Sequence, residues 1–166
     1  DALQLQNCRL EGVNSLFANT GANKSSLKLL KLDNCWIDGQ GKASDGAFIG
    51  LDDAISFALD SICFSENVFE NCTAPTMVSL RGTYSGSAKA VAFYASHNVF
   101  YQSEAPEELT FFSSKMNNFK KASHFNLTNN VFFNLGQAAI EIEGGSDASY
   151  AKASYNLFMG ESPDWY

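Results

Sequence analysis

One six-residue pattern recurs six times along this chain, and it constrains the fold more than any other feature. Each copy has an apolar residue, two mostly polar positions, a small polar residue, any residue, and then a large apolar residue. The copies run from Leu5 to Leu10, Leu32 to Ile37, Phe64 to Phe69, Ala95 to Phe100, Leu127 to Phe132 and Ala153 to Phe158. Their fourth positions are Cys8, Cys35, Asn67, Asn98, Asn130 and Asn156, at intervals of 26 to 32 residues. A period near thirty is far too long for a heptad. It is the length of a supersecondary unit that buries its apolar face only against its neighbours.

The surrounding residues select strands rather than helices. Ser26–Leu32, Ala90–Ala95 and Phe125–Leu127 lead into the pattern as short, β-prone, alternating segments. A further short strand follows each turn: Ala47–Leu51, Met77–Leu80, Leu109–Phe112 and Ala139–Ile142. No segment carries a capped helical periodicity. Strand, sharp bend, strand, turn, strand and loop make one coil of an all-β solenoid. Stacked strands lie about 4.8 Å apart, so equivalent residues fall over one another. Leu10, Ile37, Phe69, Phe100, Phe132 and Phe158 then form an interior column, each buried side chain contributing roughly 1.5–3 kcal/mol. The fourth position falls at the bend, where asparagine tolerates a left-handed backbone and its amide can bond the next repeat.

These residues give the chain its resemblance to the right-handed parallel β-helix proteins of the pectate-lyase-like superfamily, whose hallmark is an asparagine ladder at one bend. The closest copy of the motif is Asn129, Asn130, Val131 and Phe132, followed by Asn134 and the strand Ala139–Ile142. The resemblance covers nearly the whole chain. It implies a right-handed single-stranded parallel β-helix (β-solenoid) of about six coils with an Asn/Cys ladder, as one domain over residues 1–166. Cys8 and Cys35 depart from the asparagine pattern; as stacked side chains pointing in parallel they are expected to be free thiols. In size and character the chain is also similar to domains of unknown function in secreted proteins of Bacteroides-type gut bacteria.

Composition removes several classes of function. The chain has 166 residues, 45% of them hydrophobic with 14 Phe, enough to bury a real core. Its formal charge of −7, with 18 acidic against 11 basic residues, gives no basic face for nucleic acid. No apolar run approaches the roughly 18 residues of a membrane span, so no membrane insertion is expected. No cysteine pair or nearby histidine has zinc-site spacing. The chain reads as a mature fragment of a longer secreted, periplasmic or surface protein, with neighbouring domains of the same chain as further partners.

In enzymes of the resembled superfamily, substrate lies along one sheet and the loops leaving it. Here the corresponding strands end at Leu51, Leu80, Phe112 and Ile142, and the residues leaving them include Asp52, Asp53, Arg81, Lys115 and Glu143, with Glu141 inside the last strand. A uronate lyase would use Arg81 or Lys115 as base, with Asp52, Asp53, Glu141 and Glu143 holding calcium. Calcium is the cofactor only on that reading; otherwise none is expected. The same charges also suit a solvated sheet face. No family lyase motif surrounds them, nor do paired aspartates with a nearby His and Arg mark a glycosidase. His97 and His124 read as surface residues. The sequons at Asn23, Asn71 and Asn126 are short enough to arise by chance.

Exposed aromatics are the stronger pointer to binding. Trp36, Tyr84, Tyr94, Tyr101, Trp165 and Tyr166 cannot all fit inside a narrow cylinder. Trp36 falls at an outward position, and flat rings facing solvent suit stacking on sugar rings. Trp165 and Tyr166 would instead cover the open edge of the last coil. The leading expectation is therefore a non-catalytic module that binds carbohydrate or serves as scaffold in a polysaccharide-handling protein. A calcium-dependent polysaccharide lyase and an adhesin-like stalk are the alternatives.

Overall fold

The structure, a computed structural model, describes residues 1–18, 25–40, 46–51, 57–72, 74–80, 91–103, 109–115, 125–135, 139–143 and 151–160. Its strands are β1 (Ala2–Gln6), β2 (Arg9–Glu11), β3 (Phe17–Ala18), β4 (Ser25–Asp33), β5 (Trp36–Asp38), β6 (Ala47–Gly50), β7 (Phe57–Ser65), β8 (Val68–Glu70) and β9 (Thr76–Leu80). They continue with β10 (Ala92–Ser96), β11 (Val99–Tyr101), β12 (Thr110–Lys115), β13 (Phe125–Thr128), β14 (Val131–Phe133), β15 (Ala139–Glu143), β16 (Ala151–Ser154) and β17 (Leu157–Met159). No helix occurs among the described residues.

Every third strand joins the same sheet. Sheet A runs β1-β4-β7-β10-β13-β16, sheet B β2-β5-β8-β11-β14-β17 and sheet C β3-β6-β9-β12-β15, all parallel. Parallel neighbours need a crossover, and here each crossover is made by strands of the other two sheets. Three stacked parallel sheets of this kind are compatible with a parallel β-helix.

The register follows the repeat. Leu10 lies beside Ile37, Ile37 beside Phe69, Phe69 beside Phe100, Phe100 beside Phe132 and Phe132 beside Phe158. The four phenylalanine rings stack at 4.7, 5.0 and 5.0 Å, within 8° of parallel. Their spacing is that of the strands, so packing and backbone pairing impose one repeat distance. Ile37, Phe69, Phe100 and Phe132 are buried, while Leu10 and Phe158, at the two ends, are half-buried.

The fourth-position amides are bonded from repeat to repeat. Asn67 donates from its backbone N and from Nδ2 to Asn98 Oδ1, at 3.0 and 2.9 Å. Asn98 does the same to Asn130 Oδ1, and Asn130 to Asn156 Oδ1. The second Nδ2 hydrogen of each turns back to a backbone carbonyl: Leu32 for Asn67, Phe64 for Asn98, Ala95 for Asn130. The Cys35 N–H ends the series on Asn67 Oδ1. Cys35 and Cys8 instead turn their thiols to nearby carbonyls, and all four cysteines are free.

Three details differ from the sequence expectation. The left-handed residue at the bend is the third of the motif, not the fourth: Asn7, Asn34, Glu66, His97, Asn129 and Tyr155 have φ between 51° and 58°. The fourth residue points its side chain inward, and the backbone reversal that permits this falls one place earlier. Next, the sheet C register pairs Leu80 with Ser114 rather than Phe112. That pairing runs in unbroken register from Thr110, and both Phe111 and Phe112 are buried; the irregularity between Thr110 and Phe112 falls on the other side, against β15. Finally, a second bend closes sheet B five residues after the first, with φ of 49° at Asn71, 52° at Asn134, 68° at Gly12 and 80° at Gly160. Gly39 holds the same place, and a Cβ there would lie 2.8 Å from Cys72 Cα.

Asn98→Ala should lower unfolding free energy by about 2–4 kcal/mol in denaturant titration, because it strands several buried polar groups at about 1–3 kcal/mol each. Phe100→Ala should cost about 3–5 kcal/mol through its cavity. Glu66→Asn should instead stabilise the fold by about 0.5–1 kcal/mol, since asparagine accepts the left-handed backbone more readily.

Candidate functional site

Strand alternation sends two rows of each sheet outward, and the three outer faces differ. On sheet B the outward rows are those on either side of the interior column. One contains Arg9, Trp36, Val68, Val99, Val131 and Leu157; the other contains Glu11, Asp38, Glu70, Tyr101, Phe133 and Met159. Charged residues therefore collect on the first three repeats and apolar ones on the last three. Trp36 is 43% exposed, Leu157 53% and Met159 45%, values that mark a real apolar surface rather than a core edge.

Trp36 is held on both sides. The Arg9 guanidinium lies 4.7 Å from the ring centroid, and Trp36 Nε1 donates to Glu70 Oε2 at 2.9 Å. Arg9 Nε is in turn paired with Glu11 Oε1 at 2.8 Å. The indole thus bridges three repeats and is ordered before any ligand arrives. Tyr101 stacks on Phe133 at 5.3 Å and 20°. These two aromatics support each other and are half-buried.

Sheet A presents a polar outer face. Tyr94 lies there, half-buried, between Cys63 and Asn126 in register, and so does not join Trp36 and Tyr101. Asp33 gathers the polar groups: it accepts from Ser65 Oγ, from Lys31 Nζ at 3.0 Å and from Gln6 Nε2 at 3.0 Å. The Ser65 hydroxyl first, then Lys31, hold its carboxyl below the ordinary value of 3.8. At the adjoining bend His97 is exposed, with Nε2 3.2 Å from Asn129 Nδ2.

The constellation expected on sheet C is only partly visible. Asp52, Asp53, Arg81 and Tyr84 lie outside the described residues, as do His124, Trp165 and Tyr166. Lys115 and Glu143 are register partners at the ends of β12 and β15. Glu141 is exposed and accepts from Ser113 Oγ at 3.2 Å. Among the described residues no three of His, Cys, Asp and Glu gather as a metal site requires. A cavity of about 10 Å³ lies where sheets B and C meet, lined by Cys72, Met77, Phe100, Gln102, Phe111 and Leu135. It is room for one water at most.

The apolar outer rows of sheet B escaped the sequence reading. Their signal was present, since the fifth position of the motif reads Val68, Val99, Val131 and Leu157 in the last four copies. Comparison with known proteins gives no match: no family model, no curated protein and no solved structure matches the chain.

Two measurements follow. Burial pushes the Cys72 thiol up to about 12 and also raises Cys63, while Cys35 is buried and Cys8 half-buried. Alkylation of the folded protein in mildly alkaline buffer should therefore label Cys8 first and leave Cys72 intact until unfolding, as mass spectrometry of digests would show. Asp33 has a depressed folded pKa, so its stabilisation is present above 3.8 and disappears as pH falls through the lower folded value. Asp33→Asn should flatten that acid limb in pH-dependent unfolding curves.

Proposed function

We propose that this chain is a right-handed parallel β-helix module of the pectate-lyase-like kind, about six coils long, with an asparagine and cysteine ladder. On this reading it is secreted or surface-exposed and has no catalysis of its own. It binds carbohydrate or acts as a scaffold within a polysaccharide-handling protein. The supporting observation is the fixed indole of Trp36 on the outer face of sheet B. Arg9 occupies one face of the ring and Glu70 its N–H, and the residue remains 43% exposed, so a sugar would stack on its exposed surface with Tyr101 further along the same sheet. A rigid aromatic of this kind loses little entropy on binding.

The lyase alternative is favoured by one observation, the register pairing of Lys115 with Glu143 at the edge of sheet C. On that reading Lys115 or Arg81 is the base, and Glu143 is among the carboxylates that hold calcium. Incubation with uronic-acid polysaccharides, with and without calcium, separates the readings. Ultraviolet absorbance of unsaturated products that is abolished by Lys115→Ala or Arg81→Ala would establish catalysis. The stalk alternative has no ligand at all.

On a glycan array the module should give a saturable ligand. Trp36→Ala should weaken it roughly threefold to tenfold, the factor for a lost stacking contact of about 0.5–1.5 kcal/mol. An array with no saturable glycan, or equal affinity in the variant, would defeat the binding reading.

A further inference from the structure

The outward rows of sheet B give the surroundings of Trp36 a definite sign of charge. Glu11, Asp38 and Glu70 are register neighbours on successive repeats. Their strands therefore bring three carboxylates into line at steps of about 4.8 Å. The two rows hold one cation, Arg9. Its charge is already offset, since its guanidinium lies over the indole and its Nε pairs with Glu11 at 2.8 Å. Asp38 and Glu70 form no ion pair with any described residue.

Each of these two carboxylates has one oxygen that accepts nothing from a described residue. Trp36 Nε1 donates to Glu70 Oε2, and the Gln40 N–H donates to Asp38 Oδ1 at 2.7 Å, which leaves Glu70 Oε1 and Asp38 Oδ2. Both side chains are half-buried, on the same outer face as the exposed indole. Like charges on neighbouring strands repel, and a ligand cation placed between them removes that repulsion. A ligand carboxylate at the same place adds a further negative charge to it.

We propose that the sugar stacked on Trp36 is an amino sugar with a free ammonium group, and that a uronic acid is disfavoured there. This rests on the reading of Trp36 as a carbohydrate platform and adds the class of sugar. The ring lies on the indole, and the ammonium donates to Asp38 Oδ2 and Glu70 Oε1. Arg9 does not cancel the preference, because Glu11 neutralises it.

Calorimetric titration of the wild-type protein tests the ranking. The probes are a glucosamine oligomer, its fully N-acetylated form and a uronic-acid oligomer of the same length, at about pH 5.5, where amines remain protonated. The glucosamine oligomer should bind tightest, by roughly twofold to fivefold over the acetylated form for each carboxylate engaged. The uronic-acid oligomer should bind weakest, and the gaps should shrink in high salt. Asp38→Asn keeps an oxygen for the Gln40 N–H and should narrow the gap between the first two probes. Trp36→Ala should weaken all binding. If no probe is sensitive to Trp36→Ala, the carbohydrate reading fails and the amino-sugar assignment with it. If binding depends on Trp36 but the acetylated or uronic-acid oligomer equals the glucosamine oligomer, only the assignment is overturned. Equal affinity for a lysine oligomer of the same charge overturns it too, since the face would then recognise a cationic peptide as well as a sugar. An unchanged gap in folded Asp38→Asn, checked by circular dichroism, does the same, and the wild-type ranking decides if that variant does not fold.

Discussion

A buried primary amide has four hydrogen-bonding demands, and leaving them unmet costs more than most single contacts contribute. Asn98 meets its demands by joining three repeats at once. It accepts from Asn67, donates to Asn130 and donates back to Phe64 O, while 0% exposed. A slip of one residue between repeats would break the amide contacts and turn the neighbouring phenylalanine out of the core. The polar bend thus fixes the register within which the apolar column stacks. The two are mutually dependent, since the Phe69, Phe100, Phe132 and Phe158 rings lie near 5 Å apart only when the amides are aligned.

Much of this was legible in the sequence because the repeated unit has two unlike signals at a fixed separation. Asparagine at the fourth place and phenylalanine at the sixth define both a polar and an apolar row. The strands leading into each copy and those following the turns fell within a few residues of their observed bounds. The bend conformation was not legible in the same way. Glu66, His97 and Tyr155 adopt the left-handed backbone that their residue types disfavour, because tertiary pairing on both sides overrides local preference. The register of sheet C was hidden for a different reason. An apolar run such as Leu109 to Phe112 does not mark which of its residues faces a neighbour, and Ser114 rather than Phe112 lies beside Leu80. The candidate site was legible only at Trp36 and Tyr101, whose outward positions follow from the motif. The charged set on sheet C depended on loops, and loop geometry is set by contacts that periodicity does not encode.

The three sheets share one core but have no reason to share a surface. Sheet A spends its outer rows on hydrogen-bonding groups, centred on Asp33 with Ser65, Lys31 and Gln6. Sheet B changes character along its length, from the Arg9, Trp36 and Glu70 cluster to the Val131, Leu157 and Met159 surface. The outward pairs also support strand pairing, as in the Tyr101–Phe133 stack. The ordered indole lies among the first repeats of the sheet, and the apolar surface lies on the last three.

The first two repeats differ chemically from the later four, and the cysteines are the cause. At the head, Cys35 N–H is satisfied by Asn67, but neither thiol continues the amide series: Cys35 Sγ turns to Asp33 O and Leu5 O, and Cys8 Sγ to Gln6 O. Substituting a small, weakly polar side chain for asparagine terminates the chain of donors without leaving a buried amide hungry. In the later repeats asparagine is retained, and the amide series runs unbroken from Asn67 to Asn156. The change from thiol to amide therefore divides the bend into a part held by packing of small side chains and a part held by hydrogen bonds between repeats. The apolar column runs through both, so it alone gives the first two repeats the same register as the rest.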